Sequence, residues 1–324
     1  MDHLSTSVLI TGATGFLGNS LGDALSLAGH YSLKAQVRKG VEIPWAEEVI
    51  QLTDFSYIEP SHNIFDGVDA VIHCAARVHV MDDTSSDTLN EFRKVNVKGS
   101  LNLAKMAAKS GVRRFIFISS IKVNGEGTGG DKVYKADDIP APQDPYGISK
   151  MEAEDGLKQI AADTGMELVI IRPVLVYGPG VKANFLSMMR WLDKGIPLPL
   201  GAVHNKRSLV ALDNLIDLIK VCIDHPAAAN QIFIAADGED LSTTDLLRRM
   251  GNALGTRARL LPVPQRLLIT FAAAFGKRPV AQRLCGSLQV DISKAQKLLG
   301  WKPPLSVDEG LRLVANSYRT AESK

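Results

Sequence analysis

The chain has 324 residues, 45% of them hydrophobic, and carries 37 basic against 35 acidic side chains for a formal charge of +2. That length suffices for one large core and a smaller one, so two lobes are expected. Balanced charge without a block of one sign excludes a nucleic-acid track, and a small anionic ligand would need a local site. Cys74, Cys222 and Cys285 are scattered and odd in number, which fits a reducing cytoplasm and speaks against a disulfide framework or a metal site. Met1 to Ser7 has no basic run and leads into a strand, so no signal peptide is expected, and no apolar stretch approaches transmembrane length.

Ser7-Val8-Leu9-Ile10-Thr11 reads as a short buried strand that leads directly into Gly12-Ala13-Thr14-Gly15-Phe16-Leu17-Gly18. Leu17, Leu21, Leu25 and Ala28 then recur at helical spacing, so the order is strand, glycine-rich turn, helix. The glycines fall as G-x-x-G-x-x-G. Gly12 permits the tight turn, Gly15 lets the backbone approach a pyrophosphate, and Gly18 lets helix and strand pack closely, with helix N–H groups aimed at the phosphates. The second strand, Leu33 to Val37, ends in Arg38-Lys39, where an NAD-selective site usually places an acid on the ribose 2′-hydroxyl. A guanidinium there matches the 2′-phosphate of NADP, which favours NADP(H) over NAD(H); the alternative is that Arg38 stacks on the adenine or faces solvent.

Asp69 to Ala76 reads as a fourth strand, with Ala75 and Ala76 small enough for a cofactor to lie against the backbone. His73 is expected to be a strand-end histidine with its hydrogen bonds satisfied, since no acid follows at close spacing. Asn90 to Ser110 is an amphipathic helix in which Asn96 breaks the apolar pattern and is expected to tie the helix to the neighbouring strand. Arg114 to Ser120 is a strand ending in two hydroxyls, and a serine at that end points into the crevice where open α/β sheets bind ligands. The plainer alternative, a serine that only caps the next turn, suits Ser119 more than Ser120.

Asp144-Pro145-Tyr146-Gly147-Ile148-Ser149-Lys150 opens a helix, because Pro145 suits the first turn. Tyr146 and Lys150, four apart, share one face. An ammonium one turn away favours the phenolate, which would let Tyr146 take a proton from an alcohol or return one to a carbonyl. Leu168 to Pro173 is a sixth strand, and the alternation to this point predicts an α/β fold, a doubly wound parallel sheet of Rossmann type with a smaller, mainly helical C-terminal lobe. The expected division is a dinucleotide-binding domain over 1–178, rejoined by 209–235, and a substrate lobe from 179–208 and 236–324. Within the lobe, helices are expected at 185–192, 242–254 and 265–275, with another at 213–223. Arg207, in a polar turn, either clamps a phosphate or is solvated. The apolar 265–275 segment is read as a lobe helix, with a membrane-surface role as the alternative.

Taken together, Thr11 to Gly18, Val71 to Ala76, Asn96-Val97-Lys98-Gly99, Ser119-Ser120, Tyr146 with Lys150, Arg172-Pro173 with Val176 to Pro179, and Asp291 to Ala295 with Leu299 to Pro303 resemble the extended short-chain dehydrogenases/reductases, in their nucleotide-sugar epimerase and reductase branch. The resemblance covers nearly the whole chain. It implies Ser120, Tyr146 and Lys150 as catalytic residues. It also implies cofactor contacts at Gly12, Thr14, Gly15, Phe16, Leu17, Gly18, Arg38, Ala75, Ala76, Tyr146, Lys150, Pro173 and Val176, and substrate contacts at Ser120, Lys122, Asn184 and Arg207. A homodimer through helices near 90–110 and 146–162 is implied as well.

Departures from the pattern narrow the reaction. Related 4,6-dehydratases place an aspartate and a glutamate after the catalytic hydroxyl, because expelling water needs an acid and a base at adjacent carbons. This chain has Ile121 and Lys122, so dehydration is rejected. Leu175 stands where many UDP-sugar epimerases have asparagine, which opens the question of the substrate's nucleotide. The expectation is NAD(P)-dependent hydride transfer at C4 of a nucleotide-linked hexose. Arg38 favours reduction of a 4-keto UDP-hexose over 4-epimerisation with retained NAD. A dihydroflavonol-type ketone reductase and a non-catalytic NAD(P)-binding sensor are the further alternatives, and a lipid-linked sugar is permitted as substrate.

Overall fold

The computed structural model describes residues 5–58, 63–78, 87–130, 132–276 and 278–322, without the side chains of 183, 184 and 278–280. Its strands are β1 (Thr6–Thr11), β2 (Tyr31–Val37), β3 (Glu48–Gln51), β4 (Ala70–His73), β5 (Arg114–Ile118), β6 (Glu167–Pro173), β7 (Leu175–Tyr177), β8 (Arg207–Ala211), β9 (Gln231–Ala235) and β10 (Asp240–Leu241). Seven of them make a wholly parallel sheet in the order β3-β2-β1-β4-β5-β6-β9, and β10-β8-β7 make a small second sheet. The third strand, counted but not placed from the sequence, is β3: it has four residues at the sheet edge, and only Ile50 among them is buried.

Parallel strands need covering on both faces, and period-2 alternation supplies two apolar sets. Val8, Ile10, Ile72, Ile116, Val169 and Ile171 face a core shared with α1 (Phe16–Ala28) and α6 (Leu212–Asp224). Leu9, Val71, Phe115, Phe117, Leu168 and Ile170 face the other side, against α3 (Ser100–Lys109) and α4 (Pro145–Thr164). Strand order reverses between β1 and β4, so the ends at Thr11 and His73 flank the crevice where doubly wound sheets bind ligands.

The helix expected over 90–110 is composite. α2 (Thr88–Phe92) runs through a π-helical stretch, Arg93–Gly99, into α3. α4 begins where the proline rule places it: the Asp144 side chain accepts the Gly147 N–H at 2.6 Å, Pro145 occupies the first turn, and Gly165 closes the helix at φ 76°.

A second core gathers Tyr177, Phe185, Met189, Leu192, Leu209, Leu247, Met250, Leu311 and Val314. It is built on α5 (Ala183–Asp193), α7 (Thr243–Ala253) and α11 (Val307–Glu322), beside the small sheet. α8 (Gln265–Ala274), α9 (Arg278–Cys285) and α10 (Ser293–Leu299) complete the helices of the described residues. β8 pairs with β7 in the small sheet, and the return of the chain to the large sheet comes through α6 and β9.

One ion pair pins β6 to α4 inside the protein. Arg172 donates to Glu154 through Nε at 2.9 Å and Nη2 at 2.5 Å, and its Nη1 donates to Asn124 Oδ1 at 3.0 Å. Both side chains are essentially out of water, at 1% and 0% exposure. Removing one partner would strand the other charge in a low-dielectric interior. Arg172→Met is therefore expected to cost about 3–5 kcal/mol in urea unfolding; a loss below about 1 kcal/mol would show the pair to be dispensable.

Candidate active site

The glycine turn leaves β1 at Gly12, whose φ of +67° favours glycine. A Cβ on Gly12 would stand 2.9 Å from Ala75 Cα, and one on Gly18 would stand 2.3 Å from the Gly12 carbonyl oxygen. Both approaches are closer than a side chain tolerates, so the turn sits flush on the end of β4. Thr14, Gly15 and Phe16 are exposed there, and α1 starts at an extended Gly15 with no side-chain cap and no acid in its first turn. The helix N–H groups are thus left for an anion. This cradle fits a dinucleotide pyrophosphate.

His73 fixes the rim of the cradle. Its Nδ1 is 2.7 Å from Thr11 Oγ1 and its Nε2 is 2.8 Å from Ser100 Oγ, while Thr11 Oγ1 also accepts the Ala75 N–H at 3.3 Å. Burial pushes His73 down to about 3, so it is a neutral strut, as its sequence context suggests. Gln36, at the end of β2, accepts the Gly12 N–H at 3.1 Å and donates to the Leu52 carbonyl at 2.6 Å. Sequence reasoning passed over this glutamine, a polar residue buried at a strand end. Arg38 follows β2 and is exposed. Pro173 ends β6, and Val176 lies in β7.

Lys150 is buried at the end of β5. Its Nζ donates to the Ile118 carbonyl at 2.8 Å and lies 4.4 Å from the centroid of the Phe117 ring. Burial lowers it to about 8, with Glu154 acting in the opposite sense. Tyr146, one turn earlier, is half-buried and meets Phe92 edge-on at 5.8 Å. Its phenol is pushed above the ordinary tyrosine value, first by burial and then by the Asp144 carboxylate. The expected lowering of Tyr146 by Lys150 is therefore corrected for the unliganded chain, because desolvation of the phenol and the Asp144 carboxylate both act upward. Asn96, at the centre of the π-helical stretch, donates to Ser149 Oγ at 3.0 Å, and Ser149 Oγ donates to the Tyr146 carbonyl at 2.8 Å. Asn96 also accepts the Arg77 N–H at 2.8 Å and donates to the Arg77 carbonyl at 3.0 Å, so it ties its helix to the chain leaving β4 as well as to α4.

The capping part falls to Ser120 rather than to Ser119. Ser120 Oγ accepts the Lys122 N–H at 3.3 Å and caps a single 3₁₀ turn, Ile121–Val123. Ser119, buried, donates to Glu154 Oε1 at 2.5 Å and so joins the Arg172 ion pair. Glu154 is a residue that sequence reasoning missed; its signal was the i+4 spacing from Lys150 on the buried face of α4.

Lys122 pairs with Asp144 and, at 3.0 Å, with Glu126, so in this structure it braces the start of α4. Arg207 Nη1 donates to the carbonyls of Arg283 and Gly286, both at 3.1 Å, at the end of α9. Neither Lys122 nor Arg207 is a solvated cation. Asn184 lies in α5 with its side chain outside the described residues. A separate cleft of about 1100 Å³ opens between 132–141 and 290–296 beside Tyr134, Asp138 and Asp291; neither Tyr146 nor Lys150 borders it.

A glycine cradle at the switch point of a doubly wound parallel sheet, with a tyrosine and a buried lysine one helical turn apart nearby, is the architecture of an NAD(P)-dependent oxidoreductase or epimerase of the extended short-chain dehydrogenase/reductase type. The chain belongs to the NAD dependent epimerase/dehydratase family, which it matches over residues 8–236. It is 49% identical over 324 residues to a Vibrio cholerae UDP-glucose 4-epimerase, across 98% of this chain and 97% of that one. Among solved structures it resembles MoeE5 in complex with UDP-glucose and NAD, with a TM-score of 0.75 and 25% identity over 98% of this chain and 99% of that one. The Thermotoga maritima UDP-glucose 4-epimerase with UDP-glucose shares the fold, with a TM-score of 0.76 and 22% identity over 98% and 100% of the two chains.

The buried Lys150 has a consequence for stability. Its value falls from 10.5 to about 8 on folding, so between these limits the unfolded chain holds a proton that the folded one has released. Stability of the unliganded protein should then rise with pH across that window, by up to roughly 3 kcal/mol, and Lys150→Met should lack the rise. Urea midpoints of the two proteins between pH 8 and 10 decide the matter; parallel curves would show that the ammonium is not desolvated.

Proposed function

We propose that this protein is a 4-epimerase of UDP-linked hexoses that works with a tightly held nicotinamide dinucleotide. One observation carries the choice of reaction: the Vibrio cholerae UDP-glucose 4-epimerase shares nearly half its residues with this chain over almost its whole length. The similarity to a MoeE5 complex holding UDP-glucose and NAD supports the same substrate class. This reading replaces net 4-keto reduction as the first choice.

In this reading Gly12, Gly15, Gly18 and the start of α1 hold the pyrophosphate, and Ala75 and Ala76 line the adjoining wall. A nicotinamide dinucleotide held in this cradle would supply the hydride acceptor and donor for sugar C4. Tyr146 takes the C4 hydroxyl proton as the ketone forms and gives it back to the ketone oxygen. The phenol rests protonated, since burial and Asp144 both favour its neutral form, so donation is its ready direction. Proton removal requires cationic help, and Lys150 is the ammonium one helical turn away. Ser120 Oγ spends a lone pair on the Lys122 N–H, which leaves its own O–H to donate to the substrate oxygen. The C-terminal lobe supplies the sugar-nucleotide wall. For Arg207 to clamp the diphosphate, its guanidinium must add phosphate contacts to the backbone bonds it already makes.

A second reading keeps the same chemistry in one direction: NADPH-dependent reduction of a 4-keto UDP-hexose. The exposed Arg38, followed by Lys39 at the end of β2, favours it, because a cation there suits a 2′-phosphate.

The nucleotide released on denaturing the purified protein separates the two. Near-stoichiometric NAD, with interconversion of UDP-glucose and UDP-galactose, is the expected result. An empty site that prefers NADPH to NADH would move the assignment to the reductase. In either case Tyr146→Phe should lower turnover by about 10²–10⁴-fold, and a fully active variant would refute the role of Tyr146.

A further inference from the structure

The formal charge of the whole chain conceals a local imbalance. Residues 246–290 contain seven arginines and one lysine and neither an aspartate nor a glutamate. In the middle of this stretch lies α8, none of whose residues is buried. Its inner face is anchored: Leu268 packs against the second core, and Gln265 donates to the Cys285 carbonyl at 3.0 Å. Its outer stripe is apolar. Leu267, Phe271 and Phe275, at i, i+4 and i+8, are 48%, 61% and 76% exposed, and Leu261 just before the helix is 51% exposed. Arg257, Arg259, Arg266 and Arg283 are exposed along the same part of the chain.

We propose that α8 and the arginines on and around it dock the protein on the surface of an anionic phospholipid bilayer, with the Leu267–Phe271–Phe275 stripe entering the headgroup boundary and the arginines meeting lipid phosphates. A helix that carries Phe and Leu on one stripe, with Arg266 on it and further arginines in the flanking segments, suits an interface that is apolar at depth and anionic at its surface. Arg248 and Arg249 at the start of the stretch are paired with Asp245, Glu239 and Asp308, and from Met250 to Val290 the chain itself presents no acid for such a surface to repel. Pairing of this face with a second copy of the chain would instead set arginine against arginine across an isologous contact. Among the described residues no helix is long and apolar enough to cross a membrane, so the attachment is peripheral. α8 packs on α9, whose last carbonyls hold Arg207, and docking thereby sets one wall of the C-terminal lobe against the bilayer.

The test sediments the full-length protein with vesicles of phosphatidylcholine alone and of phosphatidylcholine mixed with phosphatidylglycerol. Binding to the mixed vesicles only, weakening as salt is raised, is expected. Phe271→Ser combined with Phe275→Ser should reduce that binding at least about tenfold, and Arg266→Glu combined with Arg283→Glu should abolish the preference for anionic lipid, both with unchanged thermal melting. The proposal falls if the wild type stays in the supernatant with both vesicles, or if the serine variant binds as well as the wild type. It falls equally if the serine variant only converts a dimer to a monomer, which would show that a second copy covers the stripe.

Discussion

An ammonium taken out of water is the constraint around which this site is assembled. Lys150 has one carbonyl and one aromatic face for company at the end of β5, and burial alone would drive off its proton. Glu154, one turn further along α4, opposes that loss and is itself held by Arg172 and Ser119. Arg172 continues to Asn124 and to the Ala136 carbonyl. The ends of β5 and β6, the loop after Ser120 and the first turns of α4 are therefore parts of one polar network. Such a network is stable only when every member is satisfied, because each unpaired group would bear its full desolvation cost.

The same burial sets the resting chemistry of Tyr146. Its phenol is held neutral by desolvation and by Asp144, the residue that also caps α4 and pairs with Lys122. The carboxylate that starts the helix is thus the one that keeps the proton on the tyrosine. Under the proposed reaction, a site with a neutral phenol and a weakly basic buried lysine is prepared for proton return, and proton removal is unlocked only when the filled site favours the phenolate. Gly147 shows how tightly this corner is closed, since a Cβ there would lie 2.8 Å from the Lys122 carbonyl oxygen.

The C-terminal part of the chain follows another logic. Its core is smaller, and its charges are segregated, with acids excluded from 246–290. Arg207 joins the two regimes: it starts β8 in the small sheet and holds the end of α9 through backbone carbonyls. A guanidinium used to organise backbone is half-buried and oriented before any ligand arrives, which reduces the entropy to be lost when one binds.

What the residues determined by themselves is the parallel sheet, its glycine turn and the start of α4, because these rest on local rules: β-branched runs, positive φ at Gly12, and a capped helix with proline in its first turn. The neutral role of His73 was legible for the same reason, as a strand-end histidine without an acid nearby. Tertiary structure alone decided the rest. Period and spacing place Tyr146 and Lys150 on one face but say nothing of how far each is from water, so the direction of the phenol's shift was misread. The part of Ser119 depends on Glu154 and Arg172, which are 35 and 53 positions away from it in the chain and meet it only in the folded core. Lys122 and Arg207 were read as substrate contacts, whereas Lys122 meets Asp144 at the start of α4 besides the nearby Glu126, and Arg207 meets carbonyls at the end of α9. Charge pairing and burial are properties of a three-dimensional neighbourhood, and no local pattern encodes them.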